Sequence, residues 1–113
     1  MPLEKSLVSG SMTMLLLSLL EEKDMYGYEM IERLREKSQN VFELKAGTLY
    51  PLLHALEEKH LLTAYEREAG GKIRKYYSIT KDGRKVLGQK KAEWSTYADA
   101  VSQVIGGAVY GNA

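Results

Sequence analysis

The amino-acid sequence predicts a mainly α-helical chain with one small β-hairpin, an α+β fold. Three observations lead to this prediction. Apolar residues recur at helical spacing in three segments before residue 60. Two runs rich in β-forming residues flank the turn sequence at residues 69–72. From Leu87 onwards, apolar residues repeat at close to seven positions, which predicts one long last helix.

Composition limits what this chain of 113 residues can be. Its length predicts one domain, and its net charge of +1 means that any nucleic-acid surface must be local. The absence of cysteine excludes disulfides and thiolate metal sites and fits a reducing compartment, so we expect a cytoplasmic protein. The apolar run Met12–Leu20 is too short to span a bilayer and is followed by two glutamates, so no membrane contact is expected.

The first predicted helix runs from about Leu7 to Glu22 and carries two apolar stripes. The stronger stripe consists of Val8, Met12, Leu15, Leu16, Leu19 and Leu20, and the weaker one of Leu7, Gly10, Met14 and Leu17. A helix that is apolar on two faces packs against a different surface on each face, one of which is its own domain. The second contact is the last helix or a second chain; alternatively, this is a central buried helix that needs no partner.

The second predicted helix, about Tyr28–Ser38, turns Met30, Ile31 and Leu34 inward. A polar connection follows, and the loosely alternating residues 41–44 are interpreted as a short strand. A third helix runs from near Thr48 to about His60. Helix, connection and helix with an exposed second N-terminus is the order of a helix-turn-helix.

The third helix has a buried face and an exposed tip. Thr48 is the expected N-cap, and Pro51 then falls in the first turn, where a missing N–H costs little. The apolar face comprises Leu49, Leu52, Leu53 and Leu56, and the tip comprises Gly47, Thr48, Tyr50, Pro51 and His54. Such a tip suits base edges in a DNA major groove; the alternative is an ordinary capped helix of a bundle.

The predicted hairpin concentrates positive charge. Between Lys72 and Lys91 there are eight basic residues and one acid, so this segment carries 8 − 1 = +7 in a chain of +1. Alternation places Ile73, Lys75, Tyr77 and Ile79 on one face of the returning strand and Arg74, Tyr76 and Ser78 on the other. A basic hairpin after a helix-turn-helix is a wing that suits phosphate binding; the alternative is a solvated hairpin.

Thr80 is the expected N-cap of the last helix, and Asp82 complements its dipole. Leu87, Trp94 and Val101 are seven residues apart, and Tyr97, Ala98, Val104 and Ile105 lie beside them. Roughly 25 helical residues span about 38 Å. Because a helix of this length extends beyond what so small a domain can bury, its apolar seam predicts a homodimer.

The sequence resembles the PadR family of bacterial transcriptional regulators over about residues 5–105. The resemblance is carried by Tyr26-Gly27-Tyr28-Glu29, by residues 47–53 (Gly-Thr-Leu-Tyr-Pro-Leu-Leu), by Leu56-Glu57 and Leu61-Leu62, and by residues 70–80 (Gly-Gly-Lys-Ile-Arg-Lys-Tyr-Tyr-Ser-Ile-Thr) with Gly83. It implies a winged helix-turn-helix at 5–79 and a dimerisation helix at 80–106. The small, Gly-rich residues 107–113 are expected to form a flexible tail. It also implies a homodimer, usually a repressor, on a near-palindromic DNA operator.

Candidate site residues follow from the chain and the resemblance together. The DNA-binding candidates are Lys45, Thr48, Tyr50, Pro51, His54, Lys72, Arg74 and Lys75. The dimer-interface candidates are Leu87, Trp94, Tyr97, Val101, Val104 and Ile105. No metal ligands and no cofactor are expected.

The single C-terminal helix is similar to that of the short, multidrug-sensing LmrR-like branch of the family. The resemblance implies that Trp94 faces its dimer mate and sandwiches flat aromatic molecules. The ligand-site candidates are Leu7, Gly10, Met14, Trp94 and Ala98. Two arrangements stay open: the two indoles stand apart and bound a slot, or they touch and form a hydrophobic plug.

An enzyme is not expected, because His54 and His60 stand without a clustered acid, nucleophile or metal-ligand spacing. The alternative function of a different class is a winged helix used only for protein–protein contact. Such a module would not need the +7 segment.

Overall fold

The computed structural model describes residues 5–106, with side chains from residue 11 onwards. The elements are α1 (Lys5–Glu22), β1 (Met25–Tyr26), α2 (Gly27–Lys37), α3 (Ala46–Glu58), β2 (Leu62–Ala69), β3 (Lys72–Ile79) and α4 (Lys81–Val104). The predicted α+β class is confirmed. Leu7 and Gly10 lie before residue 11, where the description of burial and side-chain contacts begins, and the tail 107–113 lies outside the described residues.

The core is built around α1, which packs against α2, α4 and β3. Both of its predicted stripes contribute, since Leu16 and Leu17 are both fully buried. The same buried core includes residues of α2 and α3, as their spacing predicts: Met30, Leu34, Leu49, Leu53 and Leu56. The described part of the weaker stripe is therefore largely covered by the domain itself, as in a central buried helix.

The connection between α2 and α3 is a turn, and the strand predicted at residues 41–44 is wrong. Gln39 and Asn40 adopt positive φ angles of 53° and 68°. The backbone N–H of Val41 donates to Ser38 O at 3.1 Å, and that of Phe42 donates to Ser38 Oγ at 2.9 Å. These amides are thus used locally and do not join a sheet.

The wing is a three-stranded antiparallel sheet in the order β1-β3-β2. The hairpin is as predicted, with β2 and β3 paired from Leu62↔Ile79 to Ala69↔Lys72. The two-residue strand β1 was not predicted, because two residues are too few to show alternation. It pairs Met25 with Tyr77 and Tyr26 with Tyr76, and so fixes the start of α2 to the wing.

A tight joint links the end of α3 to the start of α4. Thr80 caps α4 as predicted, since its Oγ1 accepts from the Gly83 N–H at 2.9 Å. The same hydroxyl donates to His60 O at 2.8 Å, and the Thr80 N–H donates to Leu61 O at 3.0 Å. Gly83 is buried against Leu61, so the orientation of α4 is tied to that of α3.

Beyond this joint, α4 leaves the core. Gly83 and Leu87 are the buried residues of α4, which runs on to Val104 and ends before Gly106 at φ 110°. Among residues 5–106, no helix has both the length and the apolar character needed to cross a membrane.

Candidate nucleic-acid interface

The third helix begins earlier than predicted, so the assignment of Thr48 as N-cap is wrong. The N-cap is Lys45, whose backbone is extended and whose carbonyl accepts from the N–H groups of Thr48 and Leu49 at 3.0 and 2.9 Å. No side chain caps this end, and the first turn holds no acid. The positive end of the helix dipole therefore faces solvent without a carboxylate, an arrangement that favours a phosphate nearby.

Pro51 is also placed differently, as the sixth residue of α3 and not in its first turn. A proline there leaves the carbonyl of Gly47, four residues earlier, without its helical donor. Both residues are exposed, so solvent can satisfy that carbonyl. Solvent therefore reduces the hydrogen-bonding part of the proline's cost, and α3 continues to Glu58.

The predicted tip residues share one exposed face of α3. Gly47, Thr48, Tyr50, Pro51 and His54 are all exposed, while Leu49, Leu53 and Leu56 are buried on the opposite face. Lys45 is exposed at the start of the same helix. The structure therefore gathers these candidates into one surface that is uncharged apart from Lys45 at its end.

Tyr50 is held against the start of α2. It is 37% exposed, and its ring packs so tightly on Gly27 that a Cβ there would lie 2.7 Å from Tyr50 Cζ. Gly27 is the first residue of α2 and is buried. Tyr50, a candidate for base reading, therefore also packs between α2 and α3 of the helix-turn-helix.

The inner face of the wing, which packs on the domain, brings Lys75 of β3 next to Glu57 of α3. Lys75 Nζ lies 3.7 Å from Glu57 Oε1 of α3 and 5.4 Å from the centre of the Tyr77 ring. Tyr77 is buried in the core, and this burial raises the pKa of its hydroxyl. Lys75 is therefore positioned beside the candidate recognition helix, with a carboxylate as its present partner.

Three tyrosines form a row across the outer face of the wing, which we call the tyrosine row: Tyr26, Tyr76 and Tyr65. The rings of Tyr26 and Tyr76 meet edge to face at 5.4 Å, and those of Tyr65 and Tyr76 stack at 5.8 Å. The Tyr65 hydroxyl donates to Asp24 Oδ2 at 2.6 Å, and this hydrogen bond raises the pKa of Tyr65. Tyr76 is buried by this row and not by the core.

Two arginines lie on the tyrosine row. Arg74 Cζ is 4.5 Å from the centre of the Tyr26 ring, and Arg67 Cζ is 4.1 Å from that of Tyr76. Arg74 is thus separated from Lys75, which lies on the inner face, while Lys72 is exposed where β3 begins. Sequence reasoning missed Arg67, although the two-residue Gly70-Gly71 turn already pairs it with Arg74.

The C-terminal half of α4 presents an apolar face without cover. Trp94 is 51% exposed, Tyr97 62% and Val104 86%, and the indole lies 6.0 Å from the Tyr97 ring. Ile105 is exposed, and Val101 and Ala98 are half-buried. Leu87 is 1% exposed and belongs to the core, so its assignment to the dimer seam is corrected.

The charge near Trp94 is partly neutralised. Lys91 Nζ lies 3.3 Å from Glu21 Oε1, and Arg84 lies 4.0 Å from the same carboxylate. Met14, a candidate for the ligand site, is half-buried against the core of its own domain. Three cations of the segment 72–91 therefore already face glutamates and are not all free to bind phosphate: Lys75, Arg84 and Lys91.

The chain is similar to known regulators of transcription. The family described as "Transcriptional regulator PadR-like family" matches residues 16–89. A transcriptional regulator of Clostridium thermocellum has a similar structure, with a TM-score of 0.81 and 33% identity over 88% of this chain and 97% of that one. A PadR family regulator of Eggerthella lenta gives 0.79 and 36%, over 89% of this chain and 87% of that one. The transcriptional regulator YqjI of Escherichia coli is 29% identical over 84 residues, which are 74% of this chain and 39% of that protein.

Proposed function

Since the chain belongs to the PadR-like family of transcriptional regulators, we propose that it binds a near-palindromic DNA operator as a homodimer and acts as a repressor. Its function as a DNA-binding regulator of transcription, and not an enzyme, follows from the family itself. The finer proposal rests on one observation. The exposed face of α3 lies beside the inner face of the wing, where Lys75 of β3 is 3.7 Å from Glu57 of α3.

In this proposal the exposed face of α3 enters the major groove. Thr48 and His54 offer hydrogen-bonding groups, and Tyr50 offers a ring and a hydroxyl, all on the same face. Lys45, Lys72 and Lys75 contact backbone phosphates on either side. The uncapped start of α3 adds the positive end of its dipole to the same surface.

The dimer is proposed to form through α4. Trp94, Tyr97, Val104 and Ile105 expose apolar surface along one helix, which is costly in water and is relieved when a second copy covers it. Val101 completes that seam, and Leu87 is no longer part of it. Because the joint at Thr80 ties α4 to α3, the dimer would set the spacing between the two recognition helices.

A planar aromatic effector is part of the proposal. Two Trp94 indoles related by the dimer axis would bound a slot, with Ala98 leaving room beside them. The Lys91–Glu21 pair reduces repulsion toward a flat cation near this slot. An effector that altered the separation of the α4 helices would alter operator affinity through the same joint.

The test of the DNA proposal separates base reading from phosphate binding. DNA bound by the protein is first selected from a random pool, and affinities for the selected and for random duplexes are then measured over a salt series. Tyr50→Ala should weaken binding to the selected DNA more than to random DNA, by about 1–3 kcal/mol. Lys75→Ala should weaken both alike and flatten the salt dependence. Equal behaviour of the two variants would contradict the proposal.

A further inference from the structure

The last helix changes from buried to unsupported at one residue. Leu87 is the last buried residue of α4, whereas Gly88, which follows it, is exposed and has open space where a Cβ would be. An anchored part of α4 (residues 81–87) therefore ends where a projecting part (residues 89–104) begins. Glycine restricts the backbone least and weakens a helix interior. Gly88 is thus the position at which α4 bends most easily.

One carboxylate of α1 contacts α4 on both sides of Gly88. Glu21 Oε2 lies 4.0 Å from Arg84 Nη1, and Glu21 Oε1 lies 3.3 Å from Lys91 Nζ. Arg84 belongs to the anchored part of α4, and Lys91 belongs to the projecting part. Glu21 therefore spans the glycine with one ion pair on each side of it.

The location of Glu21 is unfavourable within its own helix. It lies in the last turn of α1, where the negative end of the helix dipole disfavours a carboxylate, and that turn holds no basic residue. The neighbouring Glu22 has the same disadvantage, but it pairs with Arg33 and Lys37 of α2. The end of α1 thus directs one carboxylate to α2 and the other to α4.

The two ion pairs of Glu21 are weak enough to open. The side chains of Glu21, Arg84 and Lys91 are each roughly half exposed. An exposed pair biases a conformational equilibrium by a factor of at most about five, and salt screens it further. A helix held in this way alternates between a held and a released orientation, and charge and salt set the two populations.

We propose that Gly88 is a hinge in α4 and that Glu21 is an ionic clasp that holds the projecting part in one orientation relative to the domain. With the clasp closed, the whole of α4 moves with the joint at Thr80. With the clasp open, the projecting part pivots at Gly88, and the apolar seam is no longer fixed relative to α3. The effect on the spacing of two recognition helices rests on the proposed function, whereas the hinge and the clasp do not.

The experiment measures one distance within the full chain. The sequence contains no cysteine, so two introduced cysteines are the only sites for nitroxide spin labels. Glu58→Cys labels α3 and Gln103→Cys labels the projecting part, and both positions are exposed. Labelled chains are diluted into excess unlabelled protein, so that double electron–electron resonance reports the distance within one chain even in a dimer. We expect one narrow peak for the parent.

Glu21→Gln should raise the fraction of the distance distribution outside that peak several-fold. Salt at about 1 M, where the Debye length is about 3 Å, should do the same to the parent. Glu22→Gln is the matched control, because it removes the same charge one residue away, from a carboxylate that pairs with α2. Gly88→Ala, combined with Glu21→Gln, should lower the released fraction again by a factor of up to about five, since alanine strengthens the helix.

Equal distributions for Glu21→Gln and Glu22→Gln would overturn the clasp. Broadening by Glu21→Gln that Gly88→Ala leaves unchanged would overturn the hinge, because the pivot would then lie elsewhere. Thermal melting of each variant shows that the domain is folded, since unfolding would also broaden the distribution. A parent that binds no DNA would end the proposed function and not this inference, because the distance measurement contains no DNA.

Discussion

The ring of Tyr50 in α3 lies against Gly27, the first residue of α2, with no room for a side chain between them. A Cβ at Gly27 would stand 2.7 Å from Tyr50 Cζ and would overlap the hydroxyl oxygen. The two helices of the helix-turn-helix are therefore in contact at the position where the candidate base-reading side chain emerges. Because Gly27 has no side chain, the Tyr50 ring can pack directly against the start of α2.

Gly27→Ala should destabilise the protein by about 1–3 kcal/mol, because the added methyl group must displace the Tyr50 ring or shift α2. Gly47→Ala is the control, since Gly47 lies in α3 with open space around it. That change should stabilise by about 0.5–1 kcal/mol through helix propensity alone. Denaturant unfolding measures both free energies.

Combining Gly27→Ala with Tyr50→Ala tests whether the contact itself is responsible. Truncating Tyr50 opens the space that the new methyl group needs, so the cost of the two changes should be clearly less than additive. Strict additivity of the two unfolding free energies would show that Gly27 matters for another reason.

The sequence was sufficient to predict the helices, the hairpin and the cap of α4, because each has a local signal. Leu49, Leu53 and Leu56 recur at helical spacing, and Thr80 precedes a helix with an acid in its first turn. The start of α3 was misplaced because Lys45 makes no side-chain cap, so no residue marks it. Thr48 is a preferred cap residue, and its presence inside the helix was misleading.

The parts of the site that could not be predicted depend on contacts across the fold. Lys75 meets Glu57 only because the wing packs along α3, and Tyr50 meets Gly27 only because α2 and α3 cross there. Leu87 fits the seven-residue repeat of α4, but the domain buries it before a partner can. Periodicity identifies an apolar face and does not say what covers it.

Glu57→Gln should strengthen binding to random DNA. The change releases Lys75, 3.7 Å away, and removes a negative charge next to the proposed phosphate contacts. Stability should change by less than about 1 kcal/mol, since both side chains are well exposed and such surface pairs contribute little. Glu58→Gln, the next residue on the same helix, carries the same change of charge and should have the smaller effect. An equal gain in affinity for the two variants would mean that net charge alone is responsible.

Gly83→Ala should be among the most disruptive single changes in the chain. A Cβ there would overlap Leu61 O and lie 2.8 Å from Ile79 Cγ1, and a backbone oxygen cannot rotate away. We expect a loss of at least about 1–3 kcal/mol. Gly88→Ala, five residues later in the same helix and surrounded by open space, should instead stabilise by about 0.5–1 kcal/mol. Thermal melts that rank the two variants in the opposite order would contradict the joint described above.

Alkaline pH should destabilise the fold in part through Tyr77. Burial raises the pKa of this hydroxyl above its ordinary value of 10.0. Below pH 10 the Tyr77 hydroxyl is protonated in both the folded and the unfolded state, so its ionisation does not lower the free energy of unfolding. Above pH 10 the unfolded state loses this proton first, and the free energy of unfolding falls as the pH rises toward the folded-state pKa. Tyr77→Phe should therefore reduce the loss of unfolding free energy above pH 10, as measured by denaturant titrations at a series of pH values. An unchanged pH dependence would assign the loss to other groups, among them Tyr65.

Trp94 allows a direct test of the proposed effector slot. It is the only tryptophan in the sequence and half of its surface is exposed in the single chain, so its emission reports on whatever covers α4. Planar aromatic dyes should quench this emission, flat cations most strongly, because two indole faces would stack on one ring. Trp94→Ala should remove most of the dye affinity, which is then followed by the fluorescence of the dye. Sedimentation of parent and variant distinguishes the two arrangements of the indoles. If no planar dye quenches the emission while Trp94→Ala converts dimers to monomers, the two Trp94 rings form a hydrophobic plug and the slot does not exist.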